Sequence, residues 1–375
     1  MTKKILIVGL LDSIHLARWI SQFQTSEFDI RVLPSAFFRN VHPKLVEQTS
    51  KKITVPLLGF TRKLFPYIDY LLTFSFMGTR IEQRIRQFYI TAYAKFYQPD
   101  ILHAIEIQHA GYIVMGIQQS FDRRILTNWG SDIYYYQYLP DHKPKIERAL
   151  QWATHYSAEC LRDYGLARDF GFNGLELPRI PNAGGFDLSA QENPSTRIYH
   201  RIIVKTYGGE FGLGELSLRI ASKFLSQHPT SSFFFYSVTE DLRTSVEELY
   251  KLFPNRVTYS LQKKPLSYEV LAAKFQESSI YLGLSKSDGL STSFLEALVH
   301  GVYPIQTNTS CATEFIREGA LGSVVKPEFN DIFDELERVF MNQGHLREAR
   351  KLNRIFAQRF LDQNSIVKVA QDFYS

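Results

Sequence analysis

Cysteine and long hydrophobic runs are scarce in this sequence, and each scarcity excludes a class of protein. Only Cys160 and Cys311 occur among 375 residues, and nothing in their spacing pairs them, which argues against a disulfide-rich scaffold and for a reducing compartment. The longest internal apolar stretch, Tyr70–Gly78, is far shorter than the roughly 20 residues of a transmembrane helix. The apolar run Ile5–Leu11 has no small-residue cleavage site after it, so we interpret it as a buried strand rather than a signal peptide. We expect a cytoplasmic protein.

Motifs that carry chemistry in several enzyme classes are also missing. The chain contains no Asp-x-Asp, as in metal-dependent sugar transferases, and no cluster of His, Cys, Asp and Glu with metal-ligand spacing. It has no Gly-x-Gly-x-x-Gly after the first strand, no Gly-x-Ser-x-Gly elbow and no nucleic-acid-binding module. We therefore predict that the protein needs no metal or other cofactor and that nucleic acid is not a partner.

The residues that are present favour a soluble α/β protein. Apolar residues make up 45% and charged residues 22% of the chain, a balance that allows large cores in a sequence long enough for two domains. Short apolar runs alternate with amphipathic helical patterns, which predicts parallel sheets with helices on both faces. The alternation is interrupted by a stretch with proline and glycine at residues 181–185 and restarts after Pro194.

Two such series predict two doubly wound, Rossmann-like domains that face a cleft, because ligands bind outside the carboxyl ends of parallel strands. We place the first domain at residues 1–185 and the second at residues 186–358. The remaining residues, 359–375, continue a helical pattern, and we expect this C-terminal helix to cross back to the first domain.

Positive charge is concentrated in residues 39–97. This segment holds ten Lys or Arg against three Asp or Glu, a net +7, so the rest of the chain carries −2 of the total +5. The segment is also rich in Phe, Tyr and Leu. A basic, aromatic surface suits an anionic membrane face or a phosphate-bearing ligand, whereas an ordinary solvated face over a core helix has the same composition. Both interpretations stay open.

Two acids flank a predicted helix start in the stretch Ser285–Ser310. Asp288 is followed by Gly289, and seven residues separate Asp288 from Glu296. The simplest interpretation is a capping box, in which Ser293 and Glu296 bind the free N–H groups of the first helical turn. A second interpretation is a ligand site, in which N–H groups from Gly289 to Thr292 face a phosphate or a sugar hydroxyl. The two carboxylates would then grip the two sugars of a nucleotide sugar.

The same stretch resembles the signature of glycosyltransferase family 4, retaining enzymes of the GT-B fold. The matching residues are Ser285, Asp288, Gly289, Leu290, Leu295, Glu296, Ala297, Gly301, Pro304 and Ile305. The family's Glu-x7-Glu becomes Asp288-x7-Glu296, one methylene shorter at its first acid. The resemblance implies that Glu296 holds the nucleotide ribose and that Asp288 acts on the transferred hexose. It further implies donor contacts from Ser285, Gly289, Leu290, Ser291 and Thr292.

The resemblance extends over most of the second domain. Residues 179–182 and Asp187 are similar to the family's Pro-Asn-Gly-x-Asp. Lys205 ends the first predicted strand of this domain, and the resemblance implies that it is the base that binds the diphosphate. Where the family has a second base, this chain has Glu210. Gly208 and Gly209 could supply backbone N–H groups in its place, or form a flexible turn into the next helix.

The first domain resembles the family more loosely. Asp12, Ser13 and His15 occupy the first loop, on the acceptor side. The family's His-x-His is reduced to His103-Ala104-Ile105, which leaves Glu106 or His109 as catalytic substitutes, or His109 as an ordinary structural histidine. A further set on the acceptor side comprises Gly130, Ser131 and Asp132, where Asp132 could equally be a turn or helix cap.

The resemblance implies a transferase that moves a hexose from a nucleotide sugar, with UDP favoured, to a hydroxyl of a glycan or lipid-linked acceptor. Such enzymes serve surface polysaccharide or glycoconjugate synthesis, and the basic segment suggests a peripheral position on the inner face of the membrane. Two alternatives remain on the same fold: a sugar-nucleotide epimerase or phosphorylase, and a binding or accessory protein that has lost the chemistry.

Overall fold

The computed structural model describes residues 2–36, 40–56, 78–188 and 199–375. It divides the chain into two units, one of Met1–Gly185 with Asn364–Ser375 and the other of Phe186–Gln363. Part of the basic segment, including Arg39, Arg62 and Lys63 and its aromatic residues between 60 and 76, lies outside the described residues. In the described part of the chain, no helix combines the length and the apolar composition that crossing a membrane requires.

The first unit is a parallel sheet covered by helices. Its strands are β1 (Lys4–Gly9), β2 (Asp29–Pro34), β3 (Ile53–Thr54), β4 (Ile101–Ile105), β5 (Arg123–Thr127), β6 (His155–Ser157) and β7 (Leu175–Glu176). Its α-helices up to residue 185 are α1 (Ile14–Ser21), α2 (Pro43–Glu47), α3 (Gly78–Tyr97), α4 (Tyr112–Val114), α5 (Ser131–Tyr134), α6 (Lys143–Trp152) and α7 (Leu161–Asp169). A π-helical segment, Ile107–Gly111, precedes α4, and a 3₁₀ turn, Tyr136–Tyr138, follows α5.

The second unit repeats this plan. Its strands are β8 (Arg201–Lys205), β9 (Ser232–Val238), β10 (Val257–Leu261), β11 (Ile280–Gly283), β12 (Tyr303–Thr307) and β13 (Ser323–Val325). Its helices are α8 (Gly214–Gln227), a 3₁₀ turn (Glu240–Leu242), α9 (Arg243–Leu252), α10 (Tyr268–Gln276), α11 (Thr292–Val299), α12 (Ala312–Arg317), α13 (Phe329–Met341) and α14 (Gln343–Phe360). The last helix, α15 (Gln363–Asp372), runs almost entirely in the first unit.

Strand order determines where each sheet opens for a ligand. Within the described residues the sheets run β3-β2-β1-β4-β5-β6-β7 and β10-β9-β8-β11-β12-β13, with parallel pairing. Both orders change direction beside the unit's first strand, between β1 and β4 and between β8 and β11. Loops diverge at such a switch point and leave a crevice beyond the carboxyl ends of the strands. The loops after β8 and β11 are those that carry the predicted donor residues.

The C-terminal segment is part of the core of the first unit. Phe373 and Tyr374 are fully buried, and the Tyr374 ring stacks on Phe23 with centroids 4.8 Å apart. The Tyr374 hydroxyl accepts a hydrogen bond from Nε1 of Trp19 at 3.0 Å and shares another with Nδ1 of His103 at 2.7 Å. A segment far along the chain therefore completes the hydrophobic layer between α1 and the sheet.

The structure confirms the predicted α/β class with parallel, Rossmann-like sheets. Strands β2 and β12 coincide with short apolar runs of the sequence, and helix α8 coincides with an amphipathic helical pattern. Their residues alternate in burial or form apolar runs, as parallel strands between two helical layers require. Sequence reasoning missed β3, β7 and β13, which have two or three residues each and carry too few side chains to show a period.

Candidate functional site

Two loops of the second unit meet at the switch point between β8 and β11. Gly212, in the loop after β8, forms an antiparallel bridge with Ser285, in the loop after β11. Beside it, the N–H of Lys286 donates to the carbonyl of Phe211 at 2.8 Å. The glycine loop, residues 206–213, and the acid loop, residues 284–291, thus form one surface at the edge where parallel sheets bind ligands.

The glycine loop is packed so tightly that side chains would not fit at several positions. A Cβ at Gly208 would lie 1.9 Å from Oδ2 of Asp241, and a Cβ at Gly212 would lie 2.0 Å from the carbonyl oxygen of Tyr207. The N–H of Gly208 donates to Oγ1 of Thr239 at 3.0 Å, so this N–H group is already used. Gly209 is exposed with a left-handed φ of 72°, which favours glycine. Its backbone forms the exposed tip of the loop.

Lys205, the last residue of β8, lies next to an aromatic ring at the same edge. It is half-buried, and its Nζ lies 5.1 Å from the ring centroid of Tyr207. Burial raises the pKa of Tyr207, and the negative charge of Asp288 raises it further. Lys205 and Asp288, the predicted base and the first predicted acid, therefore both lie close to the Tyr207 ring. Glu210, which replaces the family's second base, is exposed.

The acid loop is held by threonine hydroxyls from the end of β12. Oγ1 of Thr307 accepts from the N–H of Ser285 at 3.1 Å and donates to its carbonyl at 3.0 Å. Thr309 donates to the same carbonyl at 2.6 Å and accepts from the N–H of Asp288 through its own carbonyl at 3.1 Å. The backbone is fixed in this way at Ser285 and at Asp288, so the carboxylate is presented from a rigid loop.

Helix α11 begins two residues earlier than a Ser293 cap would place it. The cap residue is Ser291, whose side chain makes no capping hydrogen bond. Ser293 is already inside the helix, so the capping-box interpretation of Ser293 and Glu296 is wrong. The first N–H groups of a helix have no full set of partners in the helix itself. Here the Ser291 side chain caps none of them, and the Ser291 carbonyl accepts from the N–H of Phe294 at 3.0 Å. An uncapped helix end next to the glycine loop is a ready anion site.

Glu296 is buried in α11 with one oxygen unpaired. Only 4% of the residue is exposed, and within the described residues Oε2 has no hydrogen-bond partner. Nε2 of His300, one turn later, is 3.6 Å away and equally without a hydrogen bond. A buried acceptor without a donor is costly.

In the first unit, Glu106 holds the backbone of the π-helical segment. Its carboxylate accepts from the N–H groups of Gln108 at 3.0 Å, His109 at 2.6 Å and Ala110 at 2.8 Å. Burial raises the pKa of Glu106 to about 8, with a further increase from the neighbouring Asp132. Its left-handed φ of 69° is a strained conformation that such bonds maintain. The geometry favours a positioning role for Glu106, while His109 lies half-buried in the segment that Glu106 shapes.

Asp132 has a similar position after β5. Its carboxylate accepts from the N–H groups of Ile107 at 3.1 Å and Trp129 at 2.8 Å, and burial raises its pKa to about 7. Gly130 has a left-handed φ of 94° and precedes Ser131, the first residue of α5. The loops after β4 and β5 are therefore tied together beyond the carboxyl ends of their strands.

The first loop of the unit contributes a helix cap. Oγ of Ser13 accepts from the N–H of His15 at 3.1 Å and begins α1. The His15 ring lies 5.3 Å from the ring of Trp129, which brings the loop after β1 beside the loop after β5. Asp12 is half-buried in the same turn. The predicted acceptor-side residues thus come from two loops, after β1 and after β5, at one edge of the sheet.

His103, at the place of the family's first histidine, is a core residue. It is fully buried on β4, where Nε2 bonds Oγ1 of Thr127 and Nδ1 bonds Tyr374, each at 2.7 Å. Burial lowers the pKa of His103 to about 3 and keeps the ring neutral. It has no surface on which to meet a ligand.

Sequence reasoning missed Tyr207, Thr307, Thr309 and His300 at this site. Spacing could have identified only His300, because residues four apart share a helix face. The other three are ordinary residues whose role depends on which loops the sheet order brings together.

The comparisons with known proteins concern part of the first unit and the fold of the chain. Residues 4–159 match the family model described as glycosyl transferase 4-like. No curated protein sequence matches the chain. Among solved structures, HepE from Anabaena in complex with UDP and glucose is similar with a TM-score of 0.70 and 14% identity, covering 100% of both chains.

Two further structures are similar over nearly their whole length. Sucrose-phosphate synthase from Thermosynechococcus elongatus has a TM-score of 0.69 at 14% identity, covering 99% of this chain and 98% of that one. The apo form of the lipopolysaccharide outer core galactosyltransferase WaaB has a TM-score of 0.65 at 14% identity, also covering 99% and 98%. These similarities establish the fold, and the predicted GT-B fold is confirmed.

Proposed function

We propose that the protein is a retaining glycosyltransferase, because residues 4–159 match the family model described as glycosyl transferase 4-like. It transfers a hexose from a UDP-sugar to a hydroxyl of a glycan or lipid-linked acceptor, in surface polysaccharide or glycoconjugate synthesis. The observation that carries the proposal is the junction of the glycine loop with the acid loop through Gly212 and Ser285. That junction places a base, two acids and an uncapped helix end around one switch point.

Different residues of the second unit bind different parts of the nucleotide-sugar donor. Glu296 receives the ribose hydroxyls, because its buried Oε2 lacks a donor. Lys205 and the free N–H groups at the start of α11 receive the diphosphate. Asp288, on the rigid acid loop, receives the hexose. The structure of HepE with UDP and glucose supports UDP and a hexose as the donor components.

The reaction follows from where charge develops. As the bond from the anomeric carbon to the diphosphate breaks, negative charge grows on the leaving phosphate, where Lys205 and the backbone donors stabilise it. The acceptor hydroxyl attacks from the face that the diphosphate leaves, and its proton passes to the leaving phosphate oxygen. The anomeric configuration is therefore retained and no protein nucleophile is needed. In the first unit, Glu106 shapes the π-helical segment that presents His109 to the acceptor.

Incubation with candidate sugar nucleotides tests this function. We expect release of UDP from a UDP-hexose, faster in the presence of a glycan or lipid-linked acceptor and unaffected by a metal chelator. Binding of UDP-hexose without any turnover would favour an accessory protein. Interconversion of the sugar without transfer would favour an epimerase.

Glu296→Gln tests the ribose contact. Loss of the charge should weaken UDP binding at least about tenfold, because a charge-assisted hydrogen bond contributes roughly 1.5–3 kcal/mol. Calorimetric titration with UDP measures the effect, with Glu348→Gln, an exposed glutamate on α14, as the matched control. If UDP affinity is unchanged while the melting temperature falls, Glu296 only stabilises the helix.

Asp288→Asn tests the hexose contact. Turnover of the UDP-hexose should fall about 10–100-fold, while the affinity for free UDP stays the same, because UDP lacks the sugar that Asp288 binds. Asp334→Asn, at an exposed position on α13, is the control. Equal losses in turnover and in UDP affinity would place Asp288 at the nucleotide instead. Asp288→Glu restores the family's usual acid and shows whether the pocket is built around the shorter side chain.

A further inference from the structure

A cavity of about 650 Å³ lies in the first unit. It is lined by residues of α3, of α4 and the turn after it, and of α6: Gln83, Arg84, Gln87, Tyr112, Met115, Gly116, Lys145 and Arg148. Its volume is within the range of about 300–1,000 Å³ that small-molecule sites have. Nothing in the donor chemistry described above uses this cavity.

The lining is positively charged without compensation. Arg84, Lys145 and Arg148 contribute three cations, and no acid is among the described lining residues. None of the three forms an ion pair with any residue that the structure describes. Nζ of Lys145 lies 5.6 Å from the ring centroid of Tyr112, and Nε of Arg148 donates to the carbonyl of Pro144 at 3.3 Å. Uncompensated cations around a concave surface attract and concentrate an anionic ligand.

Neutral polar groups complete the wall. Nε2 of Gln83 donates to the carbonyl of Tyr112 at 3.5 Å, which ties α3 to α4. A Cβ at Gly116 would lie 1.9 Å from Nε2 of Gln87, so the glycine makes room for this amide. Guanidinium, ammonium and amide donors together are the groups that bind phosphate oxygens in proteins.

The cavity adjoins the predicted acceptor side of the unit. Tyr112 lines it and directly follows the π-helical segment Ile107–Gly111. That segment contains His109 and is held by Glu106 and Asp132. A group bound in the cavity therefore lies next to the loops beyond β4 and β5.

We propose that this cavity binds the phosphate of a lipid-linked acceptor, an inference that rests on the transferase function proposed above. The cations hold the phosphate or diphosphate, and the lipid lies along the exposed face of α3. Ile85, Phe88 and Phe96 on that helix are 48%, 76% and 84% exposed, and Phe88 is one helical turn from Arg84. Exposed aromatic and aliphatic side chains next to cations are typical of helices that bind anionic membranes.

Titration with inorganic pyrophosphate tests the phosphate site directly. Saturating UDP is present so that the donor's own diphosphate site is occupied. The double variant Lys145→Gln/Arg148→Gln should bind pyrophosphate at least about tenfold more weakly than the unmodified protein. Arg347→Gln/Lys351→Gln removes two exposed charges from α14 and should bind as the unmodified protein does. Equal affinity in the two double variants, or no pyrophosphate binding to the unmodified protein, overturns the proposal.

Vesicle flotation distinguishes a lipid-borne phosphate from a soluble one. The unmodified protein should float with phosphatidylcholine vesicles that contain phosphatidylglycerol and not with phosphatidylcholine alone. Phe88→Ser should lose flotation while keeping its pyrophosphate affinity, and Arg84→Gln should lose both. If pyrophosphate binds but no vesicle does, the lipid source is wrong and the acceptor is a soluble phosphorylated sugar. UDP-hexose turnover is measured separately, so failure of the transferase function and failure of the phosphate site give different results.

Discussion

Replacing Lys205 with alanine should lower turnover of a UDP-hexose about 10²–10³-fold, the usual loss when one preorganised donor to a developing negative charge is removed. Lys205 ends β8 at the switch point, where it is half-buried beside Tyr207. Low solvent access strengthens its field at the leaving phosphate. Because Glu210 stands where the family has a second base, less charge remains to compensate for the loss.

Steady-state kinetics with two UDP-sugars whose leaving groups differ measures this effect. The loss should be larger for the donor with the poorer leaving group, since more charge must be stabilised in its transition state. Lys263→Ala is the matched control, because Nζ of Lys263 is paired with Glu240 at 3.1 Å. A rate for Lys205→Ala close to that of the unmodified protein would contradict the assignment. Lys286, exposed on the acid loop, would then be the next candidate.

Replacing Tyr374 with alanine should lower the free energy of unfolding of the first unit by about 3–5 kcal/mol, the usual cost of removing a large aromatic side chain from a core. The ring is fully buried against Phe23. Its hydroxyl serves Trp19 and His103, so the variant also leaves two buried polar groups without partners. Tyr374→Phe keeps the ring and should cost about 1–3 kcal/mol.

Tryptophan fluorescence during urea denaturation measures the stability of this unit selectively. The chain has three tryptophans, Trp19, Trp129 and Trp152, and all lie in the first unit. Tyr138→Ala, at a position that is 74% exposed, should change stability by no more than about 0.5 kcal/mol. If Tyr374→Phe is as stable as the unmodified protein, the hydroxyl network contributes nothing, and packing alone anchors the C-terminal segment.

The fold class could be predicted from the sequence because burial in a parallel sheet determines which residue types occur along each strand. A strand covered by helices on both faces must be apolar along its whole length, as β1 is from Ile5 onwards. The helices between strands show their buried face at a period of 3.6 residues. The first residue of a helix was harder to predict where more than one residue could act as its N-cap. Ser291 and Ser293 are both good cap residues by type, and only the backbone conformation shows that α11 begins after Ser291.

The candidate site could be predicted in part. Asp288 and Glu296 drew attention because they flank a predicted helix start, and such positions face ligands in α/β folds. Lys205 and the roles of the two acids came from the resemblance to glycosyltransferase family 4, and they stay predictions. The roles of individual residues were harder to predict, since a carboxylate accepts hydrogen bonds from a ligand and from backbone N–H groups alike. Both oxygens of Glu106 bind backbone N–H groups, which nothing in the sequence distinguishes from a catalytic carboxylate.

The sequence by itself determined the strands, the helices and the chemical types at the strand ends of this protein, because all three depend on neighbours within about ten residues. Only the tertiary structure decided which of those ends meet. Gly212 joins Ser285 because β8 and β11 are adjacent in the sheet. His103 is hidden beneath Tyr374, 271 residues away, because α15 packs on the first unit. Contacts between distant segments depend on strand order and on complementary packing, and neither leaves a periodic trace in the sequence.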